Sequence, residues 1–372
     1  MKKTIYKYIF SEFRRYFATT LFALAAIVWT VQAVNYLDLV TEDGHAFKIY
    51  FFYSTLTLSK VLTKLIPFSF LFATILTVIK LEKDNELIVL WTSGLNKIHI
   101  VNHLVRISVL VMCLQLILTL VINPKLLNLS RNVIKNSSLE FVSSMFKEKQ
   151  FNDTVEGLTI FIDKKNKNNS YSNIFIRDES TVLSKFGNSS TIIAQSGYVS
   201  EDKKSLILLN GNIQKLNKSG NVNVVNFQKT IVNISGIITK SISEPKIQET
   251  STLSMAKCIQ RINSVRNCAL TKRSKMDFKI EINKRLGMPF FIPLLALISS
   301  FLLSSRRDKK TYPYNKYICF LGGFSVLIFA EIMVRYSGIS LNHTALYYFI
   351  PIALIPLFYL TLIKKFKYEN LF

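Results

Sequence analysis

Residues 98–122, IHIVNHLVRISVLVMCLQLILTLVI, and residues 286–304, LGMPFFIPLLALISSFLLS, stand on either side of about 160 residues that hold no other apolar run of this length. A hydrocarbon core about 30 Å thick takes about 20 helical residues to cross, so each run spans once. Backbone polar groups at that depth must be satisfied internally, which makes the runs helices. Working outward, two more runs precede the first, at roughly 17–37 and 56–79. Two more follow the second, at roughly 317–337 and 345–363. The layout is three spans, a polar insert, and three spans.

Composition agrees. The chain has 372 residues, of which 49% are hydrophobic, with a mean hydropathy of +0.28. Its formal charge of +24 raises nucleic acid as a partner, but the excess is spread along the chain and forms no recognisable module. Residues 124–284 carry 25 Lys and Arg against 13 Asp and Glu, half of that excess. A basic surface outside the bilayer suits anionic lipid or an acidic partner; a Lys- and Asn-rich compositional bias produces the same numbers. The first run is longer than a signal-peptide core and lacks a small-x-small cleavage site, so it is expected to stay as a span. Of four cysteines, Cys113 and Cys319 fall inside spans. Cys258 and Cys268 are ten apart on a predicted helix 253–270, hence on different faces, and no disulfide framework or metal spacing is expected.

Short loops set the orientation. Basic residues mark the N-terminus (Lys2, Lys3, Lys7, Arg14, Arg15), the loop after span two (Lys80, Lys83, Lys97), the loop after span four (Arg306, Arg307, Lys309, Lys310) and the tail (Lys364, Lys365, Lys367). With six spans all four lie on one side, and the opposite loop reads Asp38, Glu42, Asp43 and Lys48. Both termini are therefore expected in the cytoplasm and the insert outside it.

Within the insert, strands are predicted at 157–163, 173–178, 190–199, 205–214 and 222–234, rich in Ile, Val, Phe and Tyr and bounded by Asn, Gly, Ser and Lys clusters. Leu206 and Leu208 oppose Ile207 and Leu209, so both faces are apolar. That pattern fits two packed sheets, or one curved sheet with an apolar trough, better than a sheet solvated on one side.

Several motifs carry possible chemistry. The chain has no G-x-x-x-x-G-K-[ST] and builds no phosphate-binding loop of its own. Lys60 and Lys64 share a helix face in span two, and Glu331 and Arg335 are likewise i, i+4 in span five. Charges at such depths are costly and usually face a cavity or a partner. The three cations suit the phosphates of an anionic lipid head, with Glu331 orienting Arg335; snorkelling lysines and a local ion pair are the plain alternative. His99 and His103 have metal-compatible spacing but no third ligand near in sequence, so an interfacial role is expected. Pro67, Pro289 and Pro351 interrupt spans.

The segment Ile193-Ala-Gln-Ser-Gly-Tyr198 with Leu208-Leu-Asn-Gly211, the loop Asn85-Glu-Leu-Ile-Val-Leu-Trp-Thr-Ser-Gly-Leu95, and Glu281-Ile-Asn-Lys-Arg-Leu-Gly-Met-Pro289 together resemble the LptF/LptG permease family. These proteins are membrane subunits of the lipopolysaccharide export transporter. The resemblance covers nearly the whole chain and is somewhat nearer the F member. The short Lys/Asn-rich loops depart from the family pattern. The resemblance implies an α-helical integral membrane protein with six transmembrane helices (3+3) and an inserted all-β, jellyroll-like periplasmic domain. On this reading residues 1–124 hold spans one to three with a coupling loop at 82–97, residues 125–280 the β-domain and a flanking helix, and residues 281–372 spans four to six. It further implies a paired LptF/LptG-type permease, a cytoplasmic ATPase dimer that binds the ATP, periplasmic LptC/LptA-type bridge proteins and lipopolysaccharide as cargo, with this chain in the bacterial inner membrane. This chain then carries no cofactor and is not itself an enzyme. Glu86 would meet a basic group of the ATPase, with Leu87, Leu90 and Trp91 as apolar anchors and Gly94 ending the short helix. An ordinary charged turn is the alternative for that loop. A proton-coupled secondary lipid transporter using Glu331, and a membrane-anchored periplasmic scaffold, are the rival functions.

Overall fold

The computed structural model describes residues 2–41, 45–136, 148–155, 157–166, 170–179, 190–200, 205–216, 222–233, 246–259, 272–304 and 312–369. The predicted loop charges at 306–310, Glu42, Asp43 and the end of the predicted 253–270 helix fall outside these residues. Six helices are long and apolar enough to cross a membrane: Lys3–Thr41, Phe47–Lys83, Lys97–Ile134, Lys275–Ser304, Tyr314–Tyr336 and Leu341–Lys367. They are spans one to six. The chain folds as two compact units, one of residues 1–30, 57–128 and 246–372, the other of residues 31–56 and 129–245.

In the first unit span four is the centre. Every residue of its Phe291–Ser300 segment is buried, so this apolar run is enclosed by the protein itself. Ser299 and Ser300 sit there at no polar cost because both hydroxyls donate to the Ala296 carbonyl, at 3.0 and 2.6 Å. Span four is not one regular helix. Lys272–Gly287 gives way to a 3₁₀ turn at Met288–Phe290 before the helix resumes, because Pro289 has no N–H to donate. At that break Gly287 lies against Tyr347; a Cβ there would sit 2.1 Å from the Tyr347 ring. Span three carries a π-helical turn at Leu118–Ile122. Span one contrasts with span four: 6% of its most apolar window is buried in this chain, against 78%.

The second unit holds one antiparallel meander of six strands, in the order β1-β2-β3-β4-β5-β6: Asn152–Val155, Leu158–Lys165, Ser170–Asp178, Ser190–Val199, Ser205–Leu216 and Val222–Asn233. All five strand predictions hold to within three residues at each end. For β2 the strand runs two residues further. The short polar β1 went unpredicted because Asn152-Asp-Thr-Val has no apolar alternation.

The two apolar faces have a specific cause. Ile174, Ile176, Ile192, Ala194 and Ile213 point inward on one side of a line through Asn173, Gln195 and Asn210; Tyr171, Leu206, Leu208 and Val232 point inward on the other. Along β3 the buried residues step from 171 to 174, three apart, so the inward parity reverses. The register does not slip: Ser172 pairs with Ser196 and Ile174 with Ala194, while the intervening pair is lost. The same omission recurs between Gln195 and Asn210 and between Asn210 and Gln228. Asn173 and Asn210 supply the turn of the backbone, with φ of 52° and 50°, a region Asn tolerates better than other non-glycine residues. The sheet is thus creased across its strands, and both halves feed one apolar core. Of the two arrangements expected from sequence, the single sheet is the one found.

Candidate functional site

A cavity of about 330 Å³ opens among spans two to five, lined among others by Lys60, Lys64, Gln115, Lys284, Arg285 and Glu331. Its depth can be read from residue counts. Lys60 lies 20 residues from Lys80 along span two, about 30 Å at 1.5 Å per residue. Along span three, Lys97 to Gln115 is about 27 Å; along span four, Ser304 to Lys284 is about 30 Å; along span five, Tyr314 to Glu331 is about 26 Å. Four helices independently put the cavity one hydrocarbon thickness from the end bearing Lys80, Lys83 and Lys97.

The charges in the cavity are unequally satisfied. Arg285, 5% exposed in its side chain, uses four of its five donors: Nε donates to Glu281 at 3.0 Å, Nη1 to the Thr250 carbonyl at 3.0 Å and to Thr252 at 2.9 Å, and Nη2 to the Gln248 carbonyl at 2.9 Å. These bonds strap the segment Lys246–Ile259 to span four. Thr252 also donates to the Leu120 carbonyl in the π turn, and Thr119 to the Arg285 carbonyl, so span three is bound into the same joint. The Lys284 ammonium pairs with Glu331. Lys60 and Lys64 have no carboxylate within ion-pair distance among the described residues. Gln115 donates to the Thr63 carbonyl at 3.2 Å and Asn123 to the Thr63 hydroxyl at 2.7 Å, fixing span two to span three beside these lysines. Two lysines without an ion-pair carboxylate among the described residues thus stand beside two ion pairs in the same lining.

Sequence placed Lys60, Lys64 and Glu331 correctly in one neighbourhood, but the partnership differs. Glu331 holds Lys284, 47 residues away, and not Arg335, which is exposed and lies outside the cavity lining. The reason is that a helix presents i and i+4 to one another only if both rotamers turn along the axis, and Glu331 instead turns toward span four. Lys284, Arg285 and Glu281 were visible in sequence only as a charged cluster just before an apolar run.

At the other end of the unit, the helix Glu86–Thr92 joins spans two and three. Gly94 takes φ of 81° directly after it, the left-handed position that ends helices. Leu87 is buried in the unit's core, and Leu90 and Trp91 pack against that core. The exposed apolar residues are Ile88 (50%) and Val89 (64%). Of the three expected anchors Leu87 therefore faces inward, Leu90 and Trp91 are half-buried, and their neighbours Ile88 and Val89 face out. Glu86 accepts a hydrogen bond from the Tyr8 hydroxyl at 2.8 Å. Lys80 sits 2.7 Å from buried Glu12 and 5.9 Å from the centre of the Tyr8 ring.

In the β-unit a groove of about 710 Å³ runs beside the crease, lined by Phe161, Phe175, Ile193, Gly211 and Phe227. Phe161 opposes Phe175 and Phe175 opposes Ile193 across the strands, giving an apolar ladder. Gly211 keeps it open: a Cβ there would lie 2.7 Å from Phe227 and 2.1 Å from the Ile193 carbonyl.

The cysteines correct the sequence reading. Cys258 is disulfide-bonded, whereas Cys113 and Cys319 are free. The expectation of no disulfide rested on a helix through residue 270, of which only the part up to Ile259 lies among the described residues.

Comparison with known proteins adds two findings. An uncharacterized protein, RP871, of Rickettsia prowazekii (strain Madrid E) is 27% identical over 308 residues, covering 81% of this chain and 80% of its own length. The family described as lipopolysaccharide export system permease LptF/LptG matches residues 7–365, nearly the whole chain. With six apolar spans around an inserted antiparallel sheet, the chain belongs to the LptF/LptG family of lipopolysaccharide export permeases and is a multi-pass protein of the inner membrane.

Proposed function

We propose that this chain is the permease half of an ATP-driven machine that lifts lipopolysaccharide out of the outer leaflet of the inner membrane. The observation that carries the reading is Lys60 and Lys64, two lysines without an ion-pair carboxylate among the described residues, in a cavity one hydrocarbon thickness from the basic end of the spans. Placing that basic end in the cytoplasm follows the positive-inside rule. It leaves the cavity level with the outer headgroups, where a phosphorylated sugar lipid presents its anions. The disulfide at Cys258 supports the same orientation, since disulfides persist outside the cytoplasm.

The chain has no nucleotide-binding loop, so energy arrives through another subunit. Glu86 offers a carboxylate to that ATPase and Ile88 and Val89 an exposed apolar knob. Lifting acyl chains out of lipid and into water costs about 0.8 kcal/mol per CH₂. A continuous apolar path lowers that cost, and the aromatic groove of the β-unit suits acyl chains. A second permease of the family completes the cavity, with lipid entering between span one of one chain and span five of the other. Periplasmic bridge proteins receive the product.

The test is purification of the tagged chain in mild detergent, with identification of bound proteins and lipid, followed by photo-crosslinking from position 60. An ATPase, a second permease and a lipopolysaccharide adduct are expected. Transport driven by a proton gradient with no ATPase attached would instead support a secondary transporter, and a bound protein without any lipid adduct would support a scaffold.

A further inference from the structure

The geometry points to Tyr8 as the residue that ties span one to the ATPase-facing helix, with Glu86 as a two-sided connector between them. This rests on the docking role proposed for Glu86. A carboxylate has two oxygens. In Glu86, Oε1 is taken by the Tyr8 hydroxyl at 2.8 Å, and no other polar contact to Glu86 exists among the described residues. Oε2 is left for a cation brought by another subunit. One side chain can then hold the partner and its own span one together, with no exchange of bonds.

The surroundings make the link mechanical. Tyr8 is 40% exposed, and its ring is held under the Lys80 ammonium, 5.9 Å from its centre. Lys80 in turn pairs at 2.7 Å with Glu12, one helical turn beyond Tyr8, whose side chain is 7% exposed. Span one is therefore pinned at two successive turns of one end, to the short helix and to span two. Further along, Phe22 and Ile27 are 65% and 63% exposed, and little of the span is buried in this chain. Near its other end the span is tied again, by the Tyr50 hydroxyl donating to the Ala33 carbonyl at 3.0 Å, so displacing the Tyr8 end tilts the bare middle of the rod as a lever. The Tyr8 hydroxyl is the only polar contact from span one to the Glu86–Thr92 helix among the described residues. A displacement of that helix reaches span one most directly through it.

The Tyr8→Phe variant removes one oxygen and keeps the ring under Lys80. In the purified complex reconstituted in nanodiscs, Tyr8→Phe is expected to retain the ATPase subunit within about 3-fold of wild type. Its lipopolysaccharide-stimulated ATP hydrolysis is expected to fall at least 5-fold. Glu86→Gln is expected to lose the ATPase through the oxygen that Tyr8 leaves free, so the two positions are compared by the spin-label distance below, where Tyr8→Phe/Glu86→Gln is expected to do no more than Tyr8→Phe alone. Spin labels at Ala23 and Thr92 on the chain alone report the link without any partner; Tyr8→Phe should broaden their distance distribution. Wild-type stimulation in Tyr8→Phe, or additive broadening in the double variant, overturns the connector. If no ATPase binds even the wild-type chain, the docking role has failed; a broadened distribution still upholds the Tyr8 tie, and an unchanged one removes it.

Discussion

Replacing Arg285 by alanine tests the joint between the strap Lys246–Ile259 and the spans. The guanidinium is 5% exposed and makes four polar contacts, one to a carboxylate, two to backbone carbonyls and one to a hydroxyl. Removing one member of a buried ion pair costs about 3–5 kcal/mol, because the remaining charge stays buried without its partner. Here Glu281 is that partner, with 18% of its side chain exposed, so the low end of the range applies. The loss falls on the strap, which keeps the Thr252 bond to Leu120, the buried Met255 and the disulfide at Cys258. At 1.4 kcal/mol per factor of ten, about 3 kcal/mol raises the population of the detached strap on the order of 10²-fold. Hydrogen–deuterium exchange reads this directly at the amides of Glu249, Thr250 and Met255, which donate to Lys246, Ile247 and Ser251. Arg285→Lys keeps a charge for Glu281 but not the planar fork that reaches Gln248 and Thr250 together. Its exchange is expected to rise about 10-fold, between wild type and alanine. If Arg285→Ala leaves those amides within about 3-fold of wild type, the strap is held by something other than the guanidinium and the reasoning fails.

Four further outcomes are expected. Lys60→Ala/Lys64→Ala should weaken binding of a bisphosphorylated glycolipid about 10-fold or more while leaving its dephosphorylated form unchanged, measured by lipid co-purification; equal loss of both lipids would remove the phosphate role. Val89→Asp should reduce ATPase co-purification without lowering the thermal midpoint, because the side chain is 64% exposed, whereas Leu87→Asp should destabilise the chain by burying a charge. Gly211→Val should expose the β-unit to limited proteolysis through its clash with the Ile193 carbonyl, while Asn210→Gly, which relieves a left-handed residue, should protect it or leave it unchanged. Glu331→Gln should keep ATP-driven transport within about 5-fold, since a neutral amide still accepts from Lys284; complete loss would favour the proton-coupled rival.

The sequence made the spans legible because membrane length and hydropathy are local properties of a window. It made the strands legible for the same reason, through apolar runs between turn residues. What it did not show is where partners meet across large separations. Glu331 was assigned to Arg335 because four residues is the distance that periodicity can see, while Lys284 arrives from another span. Leu87, Leu90 and Trp91 were taken as outward anchors because a seven-residue helix gives too little periodicity to say which side is inside. Arg285 entered the sequence reading only as part of the Glu281–Pro289 resemblance, and its bonds show it fastening a segment 35 residues upstream. The crease in the sheet was foreshadowed by apolar residues on both faces, but the parity switch depends on a backbone angle at Asn173 and Asn210 that composition does not specify.

That crease carries a lesson about length variation. The unpaired positions at Asn173, Gln195, Asn210 and Gln228 are aligned from strand to strand without any slip. One extra residue inside any single strand would displace its fold line from those of both neighbours and turn its inward side chains out. Insertions and deletions among relatives should therefore collect in the turns, where they leave the alignment intact, and a strand that did change length would be expected to take its neighbours with it.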